Sequence, residues 1–125
     1  AILGIYAKVN SYFVMNYNMM KRHLKLAKYI EPVFNLLKKV PKGKVITYES
    51  IAQKCKIPSA RNVGWVLKQN TRPNIILCYK VVRSNGTLAM GYKFGGPQAQ
   101  KRRLIKDGIK FTKLGKILDF KKHKN

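Results

Sequence analysis

Acidic side chains are almost absent from this chain of 125 residues. Four Asp and Glu residues stand against 27 Lys and Arg residues, for a formal net charge of +23. A compact protein with that charge repels itself, so the expected partner is a polyanion. Hydrophobic residues still make up 46% of the sequence, which excludes a disordered basic tail. The charge favours nucleic acid over an anionic membrane surface as that partner.

Cysteine and histidine are also scarce. Cys55 and Cys78 form no CxxC pair and are too few for a disulfide framework, and His23 and His123 stand alone. This spacing excludes a zinc site of the common kind, so we expect no metal. The low cysteine count is typical of a reduced, intracellular protein, either cytoplasmic and nucleoid-associated or nuclear.

A long apolar run is missing as well. The first 20 residues are rich in apolar side chains, but polar residues interrupt them, and a membrane span needs about 20 apolar residues. We therefore expect no membrane partner. Residues 1–30 are predicted to form a short N-terminal segment with a strand and a basic helix, and residues 31–108 the main domain. Residues 109–125 are predicted to be a basic tail that packs in part and frays from Lys121 onward.

Helix signals recur in the first half of the main domain. A helix is predicted from residue 31 to the Pro-Lys-Gly of residues 41–43, which stops it. Thr47 is positioned to cap a second helix, and Ser59 to cap a third helix over residues 60–69. Two short helices joined by a tight turn indicate a helix-turn-helix.

The third of these helices has two distinct faces. Val63, Val66 and Leu67 recur at helical spacing and are predicted to face the core. The opposite face carries Arg61, Asn62, Trp65, Lys68 and Gln69. Such a face is often only solvated, but an exposed tryptophan is uncommon unless it packs or binds. We therefore predict that this face meets DNA.

The second half of the main domain is less regular. Residues 75–82 are apolar and β-branched, which predicts a buried strand or an extended segment that holds Cys78. A glycine-rich loop over residues 91–97 and a basic helix over residues 98–106 follow. A lone cysteine in a buried strand is usually an inert core residue. The whole pattern predicts a mainly α fold with a few short strands, a winged-helix-like helix-turn-helix domain.

An ordered set of short motifs runs through residues 33–108. In chain order it comprises Val33-Phe34, Val40-Pro41-x-Gly43, Ile46-Thr47-Tyr48-x-x-Ile51-Ala52, Pro58-x-Ala60-Arg61-x-Val63-Gly64, Asn70, Cys78-x-x-Val81-Val82, Gly86, Leu88, Gly91-Tyr92, Gly95-Gly96 and Asp107-Gly108. No single motif is strong, but the ordered set resembles the C-terminal domain of the O6-alkylguanine-DNA alkyltransferases. The resemblance implies the helix-turn-helix fold of that domain.

The resemblance also implies how the domain would meet double-stranded DNA that contains alkylated guanine. The helix-turn-helix would enter the minor groove, Arg61 would replace the extruded base in the stack, and Tyr48 would crowd the flanking phosphate. Flipping a base costs a few kcal/mol, and less at a lesion. The flipped base would enter a pocket bounded by Gly91 and Tyr92. The remaining expected site residues are Asn62, Gly64, Trp65 and Lys68 on the DNA side and Val81 in the pocket.

In the family, a cysteine takes the alkyl group irreversibly and without a cofactor, and the resemblance places Cys78 at that position. Asn70 would tie the third helix to the active-site strand. The family's run is Pro-Cys-His-Arg, whereas this chain has Leu77-Cys78-Tyr79-Lys80. Tyr79 replaces the histidine, and a neutral phenol is a poor base for forming the reactive thiolate. Lys80 keeps a cation there. Asp107 stands at a position where the family has an acidic site residue, although it could equally be a simple helix-end residue.

Two functions follow from this resemblance. The first is a monomeric, single-turnover DNA repair alkyltransferase with Cys78 as acceptor, which the retained cysteine favours. The second is a non-enzymatic alkyltransferase-like protein that binds the lesion and recruits excision repair, which the lost histidine favours. A helix-turn-helix regulator without lesion preference is a third and weaker hypothesis.

Overall fold

The computed structural model describes residues 17–125, which form a mainly helical domain with one small parallel sheet. In chain order its elements are α1 (residues 17–27), α2 (Ile30–Lys38), β1 (Ile46–Thr47), α3 (Tyr48–Lys54), α4 (Ala60–Lys68), a 3₁₀ turn (Cys78–Lys80), β2 (Val81–Val82), α5 (Gly96–Lys106) and α6 (Phe120–His123). The predicted fold class is confirmed. The predicted N-terminal basic helix is present as α1, and the strand predicted before it falls outside the described residues.

The helix-turn-helix is formed by α3 and α4, which pack directly on each other. The Thr47 hydroxyl oxygen accepts a hydrogen bond from the Ser50 amide at 3.1 Å, and the Ser59 hydroxyl oxygen accepts one from the Asn62 amide at 3.4 Å. Each cap satisfies an amide that the first turn of its helix leaves free. Both caps were predicted from the sequence and are confirmed.

The two strands divide the core into two hydrophobic clusters. Their parallel register pairs Ile46 with Val81 and Thr47 with Val82. Because side chains alternate along a strand, Ile46 and Val81 point into a cluster with α2, α3 and α4, while Val45 and Val82 point into a cluster with α5 and the C-terminal residues. Tyr92 packs against both clusters. The loop that carries Tyr92 is therefore anchored at the seam of the core.

The segment around Cys78 differs from its prediction. The prediction of a buried strand over residues 75–82 is wrong. The chain forms a 3₁₀ turn at Cys78–Lys80, and of the predicted strand only Val81–Val82 is present. The Asn70 side-chain amide donates to the Ile76 carbonyl at 2.7 Å, and the Cys78 amide donates to that same carbonyl at 2.9 Å. These bonds bend the chain before it can pair as a strand, so tertiary contacts override the β propensity of the side chains.

The C-terminal tail also differs from its prediction. The prediction that the chain frays from Lys121 onward is wrong, because α6 includes these residues and the last residues run beside the start of β1. The Val45 amide donates to the His123 carbonyl at 2.8 Å, and the Asn125 amide donates to the Val45 carbonyl at 2.8 Å. Ile109 and Ile117 are buried in the second cluster. Residues 109–125 are thus packed on the domain through Ile109, Ile117 and the backbone bonds to Val45.

Candidate active site

Cys78 lines a cavity of about 240 Å³ between α4, the 3₁₀ turn, the loop around Tyr92 and α5. We call it the Cys78 cavity. The predicted site residues that line it are Tyr48, Arg61, Gly64, Lys68, Cys78, Gly91 and Tyr92. The helix-turn-helix and the glycine-rich loop, which are far apart in the sequence, therefore meet at the cysteine. A cavity of this size suits one small group rather than a larger ligand.

Three predicted contact residues do not line the Cys78 cavity. The prediction that Val81 lines the pocket is wrong. Val81 pairs with Ile46 in the sheet, and its side chain is fully buried in the first cluster. Asn62 and Trp65 lie on the other flank of α4. The Trp65 ring stacks on His23 of α1, with the ring centroids 5.1 Å apart. A contact of Asn62 or Trp65 with DNA stays a prediction.

The Cys78 thiol is enclosed but not isolated. Its side chain is 7% exposed, and the buried Asn70 amide donates to the sulfur atom with Nδ2 and Sγ 3.4 Å apart. The side-chain oxygen Oδ1 of Asn70 accepts a hydrogen bond from the Arg72 backbone amide at 2.9 Å. Both the nitrogen and the oxygen of the Asn70 side chain are therefore engaged. Asn70 thus ties the chain just after α4 to the segment that carries Cys78.

Opposing effects act on the pKa of the Cys78 thiol. Burial raises it above its ordinary value, because a thiolate loses hydration in the cavity. The hydrogen bonds from Asn70 and from the Cys78 backbone lower it, as do the positive charges of Arg103 and Lys93. Burial is the larger effect, so the resting side chain is a thiol that needs further stabilisation to ionise.

Tyr79, which follows the cysteine, donates its hydroxyl hydrogen to the Asp107 carboxylate at 2.5 Å. Asp107 is thus both the residue that ends α5 and the hydrogen-bond partner of the residue after Cys78. Burial, and then the Asp107 carboxylate, raise the pKa of the Tyr79 phenol well above its ordinary value. A phenol that holds its proton so firmly cannot accept another from Cys78. The Asp107 carboxylate, at the C-terminal end of α5, is engaged by this hydroxyl.

Lys80 does not supply the cation that the sequence suggested for the thiol. Its side chain is 3% exposed, and its ammonium group donates to the carbonyls of Val40 at 2.8 Å and Pro41 at 3.1 Å. It thereby fixes the loop after α2. Burial lowers the pKa of Lys80, as expected when an ammonium loses water.

Two cations near the cysteine were missed by sequence reasoning. Lys93 lines the Cys78 cavity and donates to the carbonyls of Lys68 at 3.0 Å and Asn70 at 3.2 Å. Arg103 lies over the ring of Tyr79, with its guanidinium carbon 4.3 Å from the ring centroid. The sequence held one weak indication of Lys93, since it directly follows the predicted pocket residue Tyr92. Arg103 carried none, because it sits in a run of three basic residues.

An open groove of about 560 Å³ adjoins the Cys78 cavity. Tyr48 and Arg61 line both spaces, and Arg83 and Asn85 line the groove alone. Tyr48 and Arg61, together with Ala60 and Ala89, therefore lie where the surface groove meets the Cys78 cavity. In residues 17–125 there is no group of three side chains arranged to hold a metal ion, and no helix long and apolar enough to cross a membrane.

Comparison with known proteins agrees with this geometry. The profile of the family described as "6-O-methylguanine DNA methyltransferase, DNA binding domain" matches residues 28–109. The chain belongs to this family. The match covers the helix-turn-helix, Cys78 and the loop around Tyr92, and it begins after α1.

Relatives of this methyltransferase DNA-binding domain include longer proteins. A "Bifunctional methyltransferase/endonuclease" of Thermoplasma volcanium is 39% identical over 94 residues, which are 74% of this chain and 29% of that protein. A "Methylated-DNA--protein-cysteine methyltransferase" of Candida glabrata is 42% identical over 74 residues, which are 58% of this chain and 34% of that protein. The match thus spans only about a third of the length of either relative.

A solved structure of the same family matches over nearly its whole length. The crystal structure of S. pombe Atl1 in complex with damaged DNA containing O6-carboxymethylguanine superposes with a TM-score of 0.67 at 30% identity. The superposition covers 79% of this chain and 95% of that one. The methyltransferase DNA-binding fold of this chain is therefore established by both sequence and structure.

Proposed function

We propose that this protein repairs duplex DNA by flipping an O6-alkylated guanine and transferring the alkyl group irreversibly to its own Cys78. The observation that carries the proposal is the position of the Cys78 sulfur in a cavity that opens, between Tyr48 and Arg61, onto a surface groove. Family membership and the DNA-bound structural relative support it. The site is complete within one chain, so we propose a monomer, acting in an intracellular compartment that holds DNA.

In this proposal the groove takes the DNA backbone and the cavity takes one base. Arg61 is exposed on α4 and fills the place of the flipped nucleotide, while Tyr48 lies beside it at the opening. Lys68 lies on the same face of α4 about two turns further on and neutralises a phosphate. Flipping costs a few kcal/mol for a paired base and less for an alkylated one, which gives the lesion an advantage.

The transfer step needs only the cysteine and the damaged base. The Cys78 thiol first loses its proton to solvent. The thiolate sulfur then attacks the alkyl carbon, forming a carbon–sulfur bond as the bond between that carbon and guanine O6 breaks. The electron pair of the broken bond stays on the base, which takes up a proton and becomes guanine. The thioether is stable, so each molecule acts once.

The test is a mass measurement. The protein is incubated with a duplex containing one O6-methylguanine and then weighed intact and after digestion. We expect one methyl group on the peptide that contains Cys78, none in the Cys78→Ser variant, and full transfer in the Cys55→Ser variant. Tight lesion binding without a mass gain would refute transfer.

A second candidate function is lesion binding without transfer, followed by recruitment of excision repair. It is favoured by the raised pKa of Cys78 and by the absence of a base at Tyr79, which together keep the cysteine protonated. The structural relative bound to damaged DNA is compatible with it. The same mass measurement separates the two functions, and equal affinity for damaged and plain duplexes would favour a regulator instead.

A further inference from the structure

The basic helix α1 has no task in the proposed function. It ends before residue 28, where the match to the family profile begins. It is nevertheless attached to the helix-turn-helix, because the His23 ring stacks on the Trp65 ring of α4 with the centroids 5.1 Å apart. Leu26, three residues after His23, is buried. Residues three apart share one side of a helix, so one side of α1 is turned to the domain.

The side of α4 that α1 contacts is the side proposed to meet DNA. Trp65 follows Arg61 by four residues, which is just over one helical turn, so the two side chains lie within about 40° of each other around the helix axis. Arg61 lines both the Cys78 cavity and the surface groove. A duplex that brings a base past Arg61 to Cys78 therefore also comes close to α1.

Three exposed lysines form a basic stripe on α1 and directly after it. We call this set of Lys21, Lys25 and Lys28 the α1 stripe. Lys21 lies two residues before His23 and Lys25 two residues after it, so each is turned about 160° from His23 around the helix axis. Both lysines thus project from the side of α1 that does not dock on α4. Residues 17–28 contain no Asp or Glu, so no carboxylate of this segment neutralises the stripe.

We infer that α1 is an additional DNA-binding element, whose α1 stripe contacts the phosphate backbone of the duplex beside the part that α4 occupies. The inference rests on the proposed function, because α1 is placed next to DNA by the approach of α4. The stripe is about 10 Å long, which is the axial rise of about three base pairs. Contacts to phosphates read no bases, so α1 adds affinity and not lesion preference.

Apolar side chains on α1 are also exposed, and they point to a different partner. Leu24 is 65% exposed and Met20 is 50% exposed. A helix with lysines and exposed apolar residues also suits an anionic membrane surface. DNA is favoured here because α1 is docked, through the stacked ring of Trp65, on the outer side of the helix that carries Arg61. The membrane is therefore treated as an outcome of the test.

The experiment compares two variants that lose the same charge. One replaces the α1 stripe by glutamine, and the matched control replaces three exposed lysines at the end of α5 and after it. The substitutions are Lys21→Gln, Lys25→Gln and Lys28→Gln in the first and Lys106→Gln, Lys110→Gln and Lys113→Gln in the second. The control lysines do not line the Cys78 cavity or the surface groove. Binding to labelled duplexes with and without one O6-methylguanine is titrated by fluorescence anisotropy over a series of salt concentrations.

We expect the α1 stripe variant to reduce the slope of log affinity against log salt by about two to three, because each lost phosphate contact removes about 0.9. Its affinity for plain duplex at about 0.1 M salt should fall at least about tenfold. The control variant should change the slope by less than about one. Both variants should keep the parent's preference for the damaged duplex, and unchanged Trp65 emission shows that α1 is still docked.

Equal slopes for the two variants would overturn the inference, because the charge of α1 would then act only through the net charge of the protein. A parent that binds duplex but transfers no methyl group refutes the proposed transfer, and the slopes still decide the role of α1. A parent that binds no duplex refutes both.

The membrane alternative is tested with the same proteins and vesicles of phosphatidylglycerol. If the α1 stripe variant loses vesicle binding but keeps the parent's slope on DNA, the inference is wrong and α1 serves a membrane surface. A double variant, Lys21→Gln with Lys25→Gln, should show about two thirds of the change in slope. It keeps the test decisive if the triple variant releases α1.

Discussion

At the scale of single residues, the site is built from side chains that each have a separate task. Asn70 orients the Cys78 sulfur and shapes the turn that carries it. Tyr79 and Asp107 occupy each other, which leaves the cysteine without a neighbouring base. Arg61 and Tyr48 stand at the opening of the Cys78 cavity. In the proposed function, recognition and chemistry therefore depend on different residues, and we expect mutation to separate them.

Arg61→Ala is expected to remove lesion preference while sparing most of the affinity for plain DNA. The side chain is proposed to fill the place of the flipped base, whereas many other cations contact the backbone. Binding of damaged and undamaged duplexes would be compared in titrations at one salt concentration. Lys68→Ala, about two turns further along the same face of α4, should weaken binding of both duplexes alike. An Arg61→Ala protein that still prefers the lesion would show that α4 does not enter the stack.

Tyr79→Phe is expected to destabilise the fold at neutral pH by about 1–2 kcal/mol, because the Asp107 carboxylate loses its donor. The folded pKa of Tyr79 lies above the unfolded value, so the stabilisation is complete below the unfolded pKa of about 10 and is lost as pH rises above it. Urea unfolding of both proteins at neutral and alkaline pH checks this. A stability difference that does not shrink at alkaline pH would contradict it.

At the scale of elements, α1 lies outside the matched family domain yet packs on its helix-turn-helix. It is held by the His23–Trp65 stack and by Leu26, which is buried. Leu24 on the same helix is 65% exposed. The docking of α1 therefore depends on one face and in particular on the indole ring of Trp65.

Trp65→Ala is expected to release α1 from the domain while α4 stays folded on its buried face. Amide hydrogen exchange over residues 17–27 should then approach that of a free peptide, with little change over the core of α3 and α4. Leu24→Ala serves as the control and should leave exchange in α1 nearly unchanged. Continued protection of α1 in Trp65→Ala would mean that other contacts hold it.

The C-terminal residues act as an element of the core, although they are rich in lysine. Removal of residues 119–125 should lower the free energy of unfolding by about 2–4 kcal/mol, because Val45 loses both backbone partners and Phe120 leaves the second cluster. Denaturant unfolding measures the loss. Lys121→Ala, an exposed change in the same segment, should have almost no effect, and a truncated protein of unchanged stability would show that the segment frays.

The elements also show which features a sequence reveals. The caps at Thr47 and Ser59 were predictable because each depends on a residue only three positions away. The turn at Cys78 was not, since it depends on Asn70 eight positions earlier in a different element. The hydrogen-bond partners of Lys80 and Arg103 could not be predicted for the same reason, because these partners lie 40 and 30 positions away in the chain.

At the scale of the whole molecule, we expect the net charge of +23 to govern the proposed approach to DNA rather than the choice of base. Affinity for plain duplex should fall steeply with salt. Each exposed lysine that contacts a phosphate, once changed to Ala, should reduce the slope of log affinity against log salt by about one. Salt titrations of such variants give the count of contacts, while a flat salt dependence would rule out electrostatic binding. Alkylation of free Cys78 should show little of this dependence.

Trp65 gives the molecule a built-in optical reporter. It is the chain's single tryptophan, and its ring is covered by His23 on the flank of the helix proposed to enter DNA. Its fluorescence therefore comes from one known place, and unstacking or a nearby nucleotide would each change the emission. Stopped-flow fluorescence on the unlabelled protein could then time the arrival of DNA at α4 separately from the slower loss of the thiol.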